Sequence, residues 1–312
     1  MLAAERAAGE AGNAAGTMNL DTTYLTELLL NGLMVGLLYA LVAAGLALVF
    51  GVLHIINFAH GELMMIGGFV MALVLPALGL SYWPSLAVAA LATALAGVVL
   101  YELFLSRLGP REFERSILVT LGISMVLLYG AQYWFSATPR IVDTQYGFEG
   151  LEIGDIRMTW TRVIGGGVAV LAFGGLYATL RWTQFGRAMR AIAQNREAAA
   201  MVGIPQHRVA RHAVALAAGL CGLAGGALAP IQLVQPAMGQ AVIFKAFALV
   251  VIGGLGNIPG AVFAAIALGM IESWVGGFFD IVWQETSVFL IMIVAVILRP
   301  DGLFQRGGLR VG

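Results

Sequence analysis

Long apolar runs with almost no charge are the feature that most restricts how this chain can fold. An apolar run of about 18 residues is long enough to cross the hydrocarbon core of a bilayer as a helix. Eight runs have about this length or more: Leu28–Leu53, Leu63–Leu80, Trp83–Tyr101, Ser116–Phe135, Val163–Leu180, Ala213–Ala229, Ala241–Ile271 and Trp283–Leu298. Charged residues are only 11% of the chain, against about 25% in a soluble domain. We therefore predict an all-α, polytopic integral membrane protein with about eight transmembrane helices.

The remaining composition argues against several classes of protein. The formal net charge is zero, which leaves no basic footprint for a nucleic acid. The single cysteine, Cys221, excludes an internal disulfide and a cysteine metal cluster. No set of three or four zinc ligands and no paired catalytic groups stand out, and no G-x-x-x-x-G-K-[ST] loop is present. We predict no catalytic residue, metal or cofactor, and any ATP would be bound by another subunit.

The chain divides into a transmembrane domain, residues 21–305, between two tails. We predict that residues 1–20, rich in Ala and Gly, are disordered, and either Met1 or Met18 is the true start; residues 306–312 form the C-terminal tail. Residues 136–161 contain four acids against two arginines, with Trp134 and Trp160 at the edges. Tryptophan at both margins is typical of a membrane interface. We predict that this segment lies outside, with a short hairpin suggested by Leu151, Ile153 and Ile156.

The most basic segment is residues 181–212, which contains six arginines against one acid, Glu197. Short basic loops are retained in the cytoplasm. Arg187 to Val202 has helix-forming composition, and Gly203 with Pro205 forms a helix stop. We predict a cytoplasmic loop containing a helix. Alternation from this loop places the 102–115 segment inside. It also places the N-terminus outside if HIINFAHGE is an inside turn, whereas a re-entrant HIINFAHGE would change the count.

Two predicted spans are interrupted, at His54–Glu62 (HIINFAHGE) and at Gly253–Gly260 (GGLGNIPG). Non-helical backbone at membrane depth persists only where protein or a water-filled cavity satisfies it, and matching breaks in two halves of a transporter indicate its pathway. The candidate translocation residues are Asn57, His60, Glu62, Gly253, Gly254, Asn257 and Pro259. The alternatives are a tight inside turn in which Asn57 caps the next helix, and a helix–helix elbow built by Gly and Pro.

The other ionisable residues in the apolar runs lie near their ends. Lys245 is the only lysine, and snorkelling of its ammonium to the outer interface is favoured over a substrate contact. The acidic residues near the ends of the apolar runs are expected to face interfaces or cavities; they are Glu27, Glu272, Asp280 and Glu285.

Three motifs together resemble a known family. They are Asn31–Phe69, above all INFAHGE followed by MIG; Phe185–Ile204, FGRAMRAIAQNREAAAMVGI; and Lys245–Ser273. In this order and spacing the chain resembles the permease subunits of ABC importers for branched-chain amino acids, specifically the first of the two paired permeases. The resemblance covers Leu28 to Leu303.

The resemblance implies a heteromeric importer in the bacterial inner membrane. Its expected partners are a second permease, two cytoplasmic ABC ATPases, a periplasmic substrate-binding protein and membrane lipid. In ABC importers the ATPase docks on a permease loop with an E-A-A-x-x-x-G signature, which Glu197, Ala198, Ala199 and Gly203 match; Pro205 departs from the fuller form. The residues expected to couple to the ATPase are Gly186, Arg187, Arg190, Glu197, Ala198, Ala199 and Gly203.

The substrate implied is leucine, isoleucine or valine, although related permeases carry urea, short amides or aromatic acids. A different class remains as an alternative, an ion-coupled secondary transporter that uses Glu62, His60 or Lys245 without an ATPase. The helix-like basic loop and the few intramembrane acids argue against it. A third class, an intramembrane enzyme, would need paired catalytic groups at one depth, which the sequence does not contain.

Overall fold

A computed structural model describes residues 22–109, 113–147, 150–299 and 302–304. The predicted tails, and with them the choice between Met1 and Met18, lie outside these residues. Eleven α-helices lie in the described part of the chain: α1 Thr22–Leu53, α2 His60–Leu78, α3 Tyr82–Leu103, α4 Phe113–Phe135, α5 Trp160–Trp182, α6 Gln184–Gln194, α7 Arg196–Met201, α8 Gln206–Leu228, α9 Met238–Gly253, α10 Ile258–Phe278 and α11 Ile281–Leu298.

Seven of these helices are long and apolar enough to cross a membrane, namely α1–α5, α8 and α10. Two shorter apolar helices, α9 and α11, accompany them. The prediction of an all-α polytopic membrane protein is therefore confirmed. The eight predicted runs correspond to seven helices of spanning length and two shorter ones, because Ala241–Ile271 divides between α9 and α10 and Trp283–Leu298 lies in the shorter α11.

Helix α1 is the centre of the fold. Every residue from 40 to 49 is buried, and the helix contacts α5, α8, α9 and α10. Gly32 and Gly36 face Gly269 of α10 so closely that a Cβ on Gly32 would lie 2.7 Å from the Gly269 carbonyl oxygen. Small residues at such crossings let two backbones approach, which is how helices gain packing energy in lipid.

Contacts between loops sort the connecting segments onto two opposite faces. On one face Glu102 lies 3.4 Å from His207 and 3.5 Å from Arg211, which joins the 102–115 and 181–212 segments. On the other, Arg140 and Val234 form a β-bridge and the Arg157 amide donates to Glu27 (2.7 Å). The segments predicted to be inside thus share one face, and the 136–161 segment shares the other with the start of α1. The side of the membrane on which each group lies stays a prediction.

The predicted hairpin in the 136–161 segment is present. Strands β1 (Gly150–Ile153) and β2 (Ile156–Thr159) pair antiparallel, with Leu151 opposite Met158. Gly154 in the connecting turn has φ +63°, a conformation that glycine adopts without a steric penalty.

Candidate functional site

The basic loop contains two helices, α6 and α7, where the sequence predicted one from Arg187 to Val202. The chain leaves the helical conformation at Asn195, whose φ is −155°. The Asn195 side-chain oxygen accepts the Ala198 amide at 2.9 Å, so this residue is the N-cap of α7. Asparagine is among the preferred N-cap residues. The prediction of a single continuous helix was therefore wrong at this residue.

Helix α6 folds back against the end of α5, and Gly186 is the residue that permits it. The Thr183 hydroxyl accepts the Gly186 amide at 3.0 Å, and a Cβ at position 186 would overlap the Leu180 carbonyl. Arg190 donates to the same carbonyl. Arg187 points away and is exposed.

Gly203 ends α7 in a hydrogen-bonded cap. Its amide donates to the Ala200 carbonyl (2.9 Å), and the Ile204 amide donates to the Ala199 carbonyl (3.0 Å). Gly203 has φ +81°, as the first residue beyond a Schellman-type helix end requires. The predicted helix stop is confirmed. The spacing from Glu197 to Gly203 thus corresponds to one short helix and its C-terminal cap.

Replacing Gly203 with Ala is expected to loosen this cap. A left-handed backbone costs a residue with a Cβ about 1–2 kcal/mol, and no atom of the described chain lies within 4 Å of a Cβ there, so the effect comes from the backbone alone. Hydrogen–deuterium exchange at the Gly203 and Ile204 amides should accelerate by about 5- to 30-fold. Gly203→Asn, which tolerates this conformation, is the control. Equal amide exchange rates at residues 203 and 204 in Gly203→Ala and the parent would contradict the assignment of Gly203 as the left-handed cap of α7.

The end of α7 exposes an apolar pair beyond the spanning helices. The side chains of Met201 and Val202 are 82% and 77% exposed, while Glu197 and Ala200 are also exposed and Ala199 is buried. We call Glu197, Ala200, Met201, Val202 and Gly203 the coupling tip. Two exposed apolar side chains beside one carboxylate suit contact with a soluble protein, because burying them there removes apolar surface from water.

The helix that ends at the coupling tip, α7, is hydrogen-bonded to the start of α8, which in turn contacts the end of α3. The Arg196 guanidinium donates to the Gln206 side-chain oxygen (2.8 Å), and the Gln206 side-chain nitrogen Nε2 donates to the Arg196 backbone carbonyl (2.7 Å). Glu102, at the end of α3, lies 3.4 Å from His207 and 3.5 Å from Arg211. Short, directional contacts therefore connect α7 to the start of α8, and α8 to the end of α3.

The end of α1 lies beside the same loop. His54 has φ +56°, and its amide donates to the Phe50 carbonyl at 2.8 Å, which is a left-handed cap that ends α1. Partial desolvation and the nearby positive charge of Arg196 lower the pKa of His54. The first break and the basic loop are thus neighbours in space.

The first break is a non-helical segment that begins at the exposed His54 and continues through buried residues 55–57. Residues 54–57 have no regular structure, and Asn57 is fully buried. Its side-chain oxygen accepts the Ala59 amide (3.1 Å), so Asn57 stabilises a turn. The predicted cap is not formed by Asn57, because the N-cap of α2 is Ala59 and it has no side-chain cap bond. The Asn57 side-chain nitrogen has no hydrogen-bond partner among the described residues.

His60 and Glu62 begin α2 as buried polar groups with different partners. The Nε2 atom of His60 lies 3.0 Å from Cys221 Sγ. The Oε1 atom of Glu62 accepts the Ser124 hydroxyl at 3.0 Å, and its Oε2 has no hydrogen-bond partner in the described ranges. Sequence reasoning missed the α4 partner, although Ser116, Thr120 and Ser124 recur every fourth residue and are all buried.

The second break is an elbow between α9 and α10. Asn257 caps α10 by accepting the Gly260 amide (3.1 Å), and its side-chain nitrogen donates to the Phe304 carbonyl (3.1 Å). Pro259 is the second residue of α10, and Gly253 and Gly260 touch; Gly254 adopts φ +94°. The segment therefore has the geometry of a helix–helix elbow. This is the alternative to a pathway-lining break that the sequence leaves open. Gly256 also lies beside Gly51, so the elbow adjoins the end of α1.

Lys245 does not reach an interface, contrary to the sequence-based expectation. Its side chain is buried, and Nζ lies 2.5 Å from Oε1 of Glu272. The ammonium also sits 5.3 Å from the ring centre of Tyr39, and Gln284 donates weakly to Glu272 (3.5 Å). Glu272, a buried acid 27 residues further along the chain, takes the place of water as the partner of the Lys245 ammonium.

Comparison with known proteins identifies the class. Residues 28–298 match the family described as "Branched-chain amino acid transport system / permease component". The match spans most of the chain, which therefore belongs to this family. It is a transport subunit and a multi-pass protein of the inner membrane, as predicted.

Individual relatives agree with this assignment. The chain is 28% identical over 306 residues to the high-affinity branched-chain amino acid transport system permease protein LivH of Escherichia coli K12, with 93% of this chain and 98% of LivH covered. It is 27% identical to BraD of Pseudomonas aeruginosa PAO1, covering 91% and 96%. It is also 27% identical to LivM of E. coli K12, covering 86% of this chain and 68% of LivM. No solved structure matches the chain.

Proposed function

We propose that this subunit pairs with a second permease, two cytoplasmic ABC ATPases and a periplasmic binding protein to import leucine, isoleucine and valine. The family supplies the transport class, and the names of LivH and BraD refer to high-affinity transport of branched-chain amino acids. The match covers 98% of LivH but 68% of LivM, which favours the role of the first permease of the pair.

The coupling tip is the observation that most strongly supports an ATPase partner. An importer subunit without a phosphate-binding loop has to receive the work of ATP hydrolysis through a rigid element that can occupy two positions. The helix that carries the tip is short, capped at both ends by Asn195 and Gly203, and hydrogen-bonded to α8, which contacts α3 through Glu102. Its exposed Met201 and Val202 offer the apolar contact that a soluble domain would bury.

The first break supports a translocation role for Asn57 and Glu62. Each has one buried polar atom with no hydrogen-bond partner among the described residues, Nδ2 of Asn57 and Oε2 of Glu62. A buried unpaired polar group costs about 1–3 kcal/mol, so a functional partner for these atoms is expected. In the translocation path, the partner of each atom would be water, the substrate or a group of the second permease.

The experiment that tests this function is reconstitution of the subunit with the products of its neighbouring genes. Proteoliposomes with ATP inside and leucine-loaded binding protein outside should accumulate labelled leucine, and vesicles without ATP should not. Competition by urea, acetamide and benzoate separates the alternative substrates. If the subunit alone takes up substrate under a proton or sodium gradient, the secondary-transporter alternative is correct and this proposal fails.

Glu62→Gln should reduce uptake by at least about tenfold, because losing a charged partner at a buried site costs about 1.5–3 kcal/mol. The substitution keeps the size of the side chain and a group that can accept from Ser124. ATPase association, measured by pull-down, should stay at the parent level. Glu114→Gln, an exposed residue near the start of α4, is the matched control. If both Glu62→Gln and Asn57→Leu transport normally, these residues do not line the translocation path. The break is then a structural turn only.

A further inference from the structure

A cleft of about 550 Å³ opens where α5 leaves the membrane-spanning region. It is lined by Tyr177, Leu180, Arg181, Trp182 and Arg190. Two of these residues are cations and two are aromatic, and no acid lines the cleft in the part of the chain described. Tyr177 and Trp182 meet edge to face, with ring centres 6.2 Å apart. Exposed tyrosine and tryptophan at the end of a span are typical of the headgroup level of a bilayer.

The two arginines are arranged to hold an anion in this cleft. Arg190 donates through one guanidinium nitrogen to the Leu180 carbonyl, which fixes the group at the mouth and leaves its other donors free to bind. Arg181 is exposed, and no acidic side chain of the described ranges forms an ion pair with either residue. Planar guanidinium groups bind phosphate oxygens with two parallel hydrogen bonds.

An apolar track leads away from the cleft along the outer face of α5. Leu171 and Val170 are 75% and 56% exposed. Between them and the cleft, Gly174 and Gly175 leave open space, since a Cβ at either position would meet no atom of the described chain within 4 Å. A shallow trough of this kind, beginning at two arginines and continuing over apolar side chains, fits an acyl chain.

We propose that this cleft and track form a binding site for one anionic phospholipid of the inner leaflet. The phosphate lies between Arg181 and Arg190, the glycerol region lies against Tyr177 and Trp182, and an acyl chain follows Gly174 and Leu171. The apolar track distinguishes a lipid from a free phosphate, which would need only the arginines. The site is next to Gly186, so the lipid would brace the junction at which α6 folds back on α5.

The test is lipid retention by the purified importer complex, or by the subunit alone, in native mass spectrometry. The protein is equilibrated with equal amounts of phosphatidylglycerol and phosphatidylcholine that have identical acyl chains. The parent should retain one phosphatidylglycerol in preference to phosphatidylcholine. Arg181→Gln/Arg190→Gln should lose about 30-fold of this preference, from the attraction of two arginines near an anionic surface.

Two further variants separate the site from general surface charge. Arg208→Gln removes an exposed arginine of the same loop that does not line the cleft, and it should retain the lipid. Gly174→Leu fills the trough, keeps both arginines and should release the lipid. Equal retention of the two lipids by the parent, or full retention by the double variant, would overturn the proposal.

Two remaining outcomes also count against it. Displacement of the lipid by millimolar glycerol phosphate would mean that the arginines bind a phosphate without help from the track. Retention by the subunit alone but not by the assembled complex would mean that the second permease covers this face of α5. Because the readout is a bound lipid rather than uptake, failure here leaves the proposed transport function untouched.

Discussion

Lys245→Met is expected to destabilise the subunit by about 3–5 kcal/mol, the cost of breaking a buried ion pair on one side. The side chains of Lys245 and Glu272 are only 10% and 6% exposed, with Nζ and Oε1 2.5 Å apart. Removing the ammonium leaves the Glu272 carboxylate among α1, α9, α10 and α11, with Gln284 as its remaining side-chain donor among the described residues. Since folded proteins have about 5–15 kcal/mol of stability, we expect a large fall in the melting temperature of the purified protein.

Two variants separate the charge from the packing in this experiment. Lys245→Met/Glu272→Leu removes both charges and should recover most of the loss, because an apolar replacement of a whole buried pair is often neutral. Arg157→Met breaks the exposed pair with Glu152, in which the atoms are 3.2 Å apart and the side chains 79% and 63% exposed, and should change stability by less than about 1 kcal/mol. Melting of Lys245→Met at the parent temperature would show that Glu272 does not depend on this lysine.

The helical fold could be predicted from the sequence because the signals for it come from residues that are close together in the chain. Spanning length can be counted from apolar runs, and the breaks show as Asn, His, Gly and Pro within them. The hairpin follows from alternation around Leu151, and the helix stop from Gly203. Each of these features depends on residues within about one turn or one strand of each other, so no knowledge of the tertiary fold is needed.

The features that the sequence did not predict depend on long-range contacts. Lys245 meets Glu272 only because α9 and α10 fold back about the elbow at residues 254–257, and 27 residues of chain separate the pair. Cys221 reaches His60 across 161 residues. A lysine within an apolar run predicts snorkelling when its neighbours are unknown, and a buried carboxylate on another helix reverses that prediction.

One missed feature was nevertheless visible in the sequence. Asn195 precedes Arg196 and Glu197, and asparagine followed by an acid in the first helical turn is a helix-start signal. The signal was obscured because the residues on both sides favour helix, so the composition from Arg187 to Val202 predicted continuity. The division at Asn195 matters for function because it turns α7 into a separate short element that ends at the coupling tip.

Met201→Asp is expected to abolish ATP-driven uptake while the subunit remains folded in the membrane. The side chain is 82% exposed, so the charge costs little in the free subunit, but it would have to be desolvated beneath a docked ATPase. Loss of a central interface contact costs about 2 kcal/mol or more, which is about a 30-fold loss of affinity. Pull-down of the ATPase and leucine uptake by proteoliposomes should fall together. Gly203→Asp and Glu197→Lys should behave in the same way.

Gln194→Asp is the matched control for this prediction, since it adds the same charge at an exposed position at the end of α6. It should keep both ATPase association and uptake, because it lies outside the coupling tip. Thermal unfolding of all variants in detergent distinguishes lost docking from lost folding. If Met201→Asp and Gly203→Asp both retain the ATPase and transport leucine normally, the ATPase docks elsewhere. The arginines of the loop would then act on lipid headgroups alone, as an amphipathic segment at the membrane surface does.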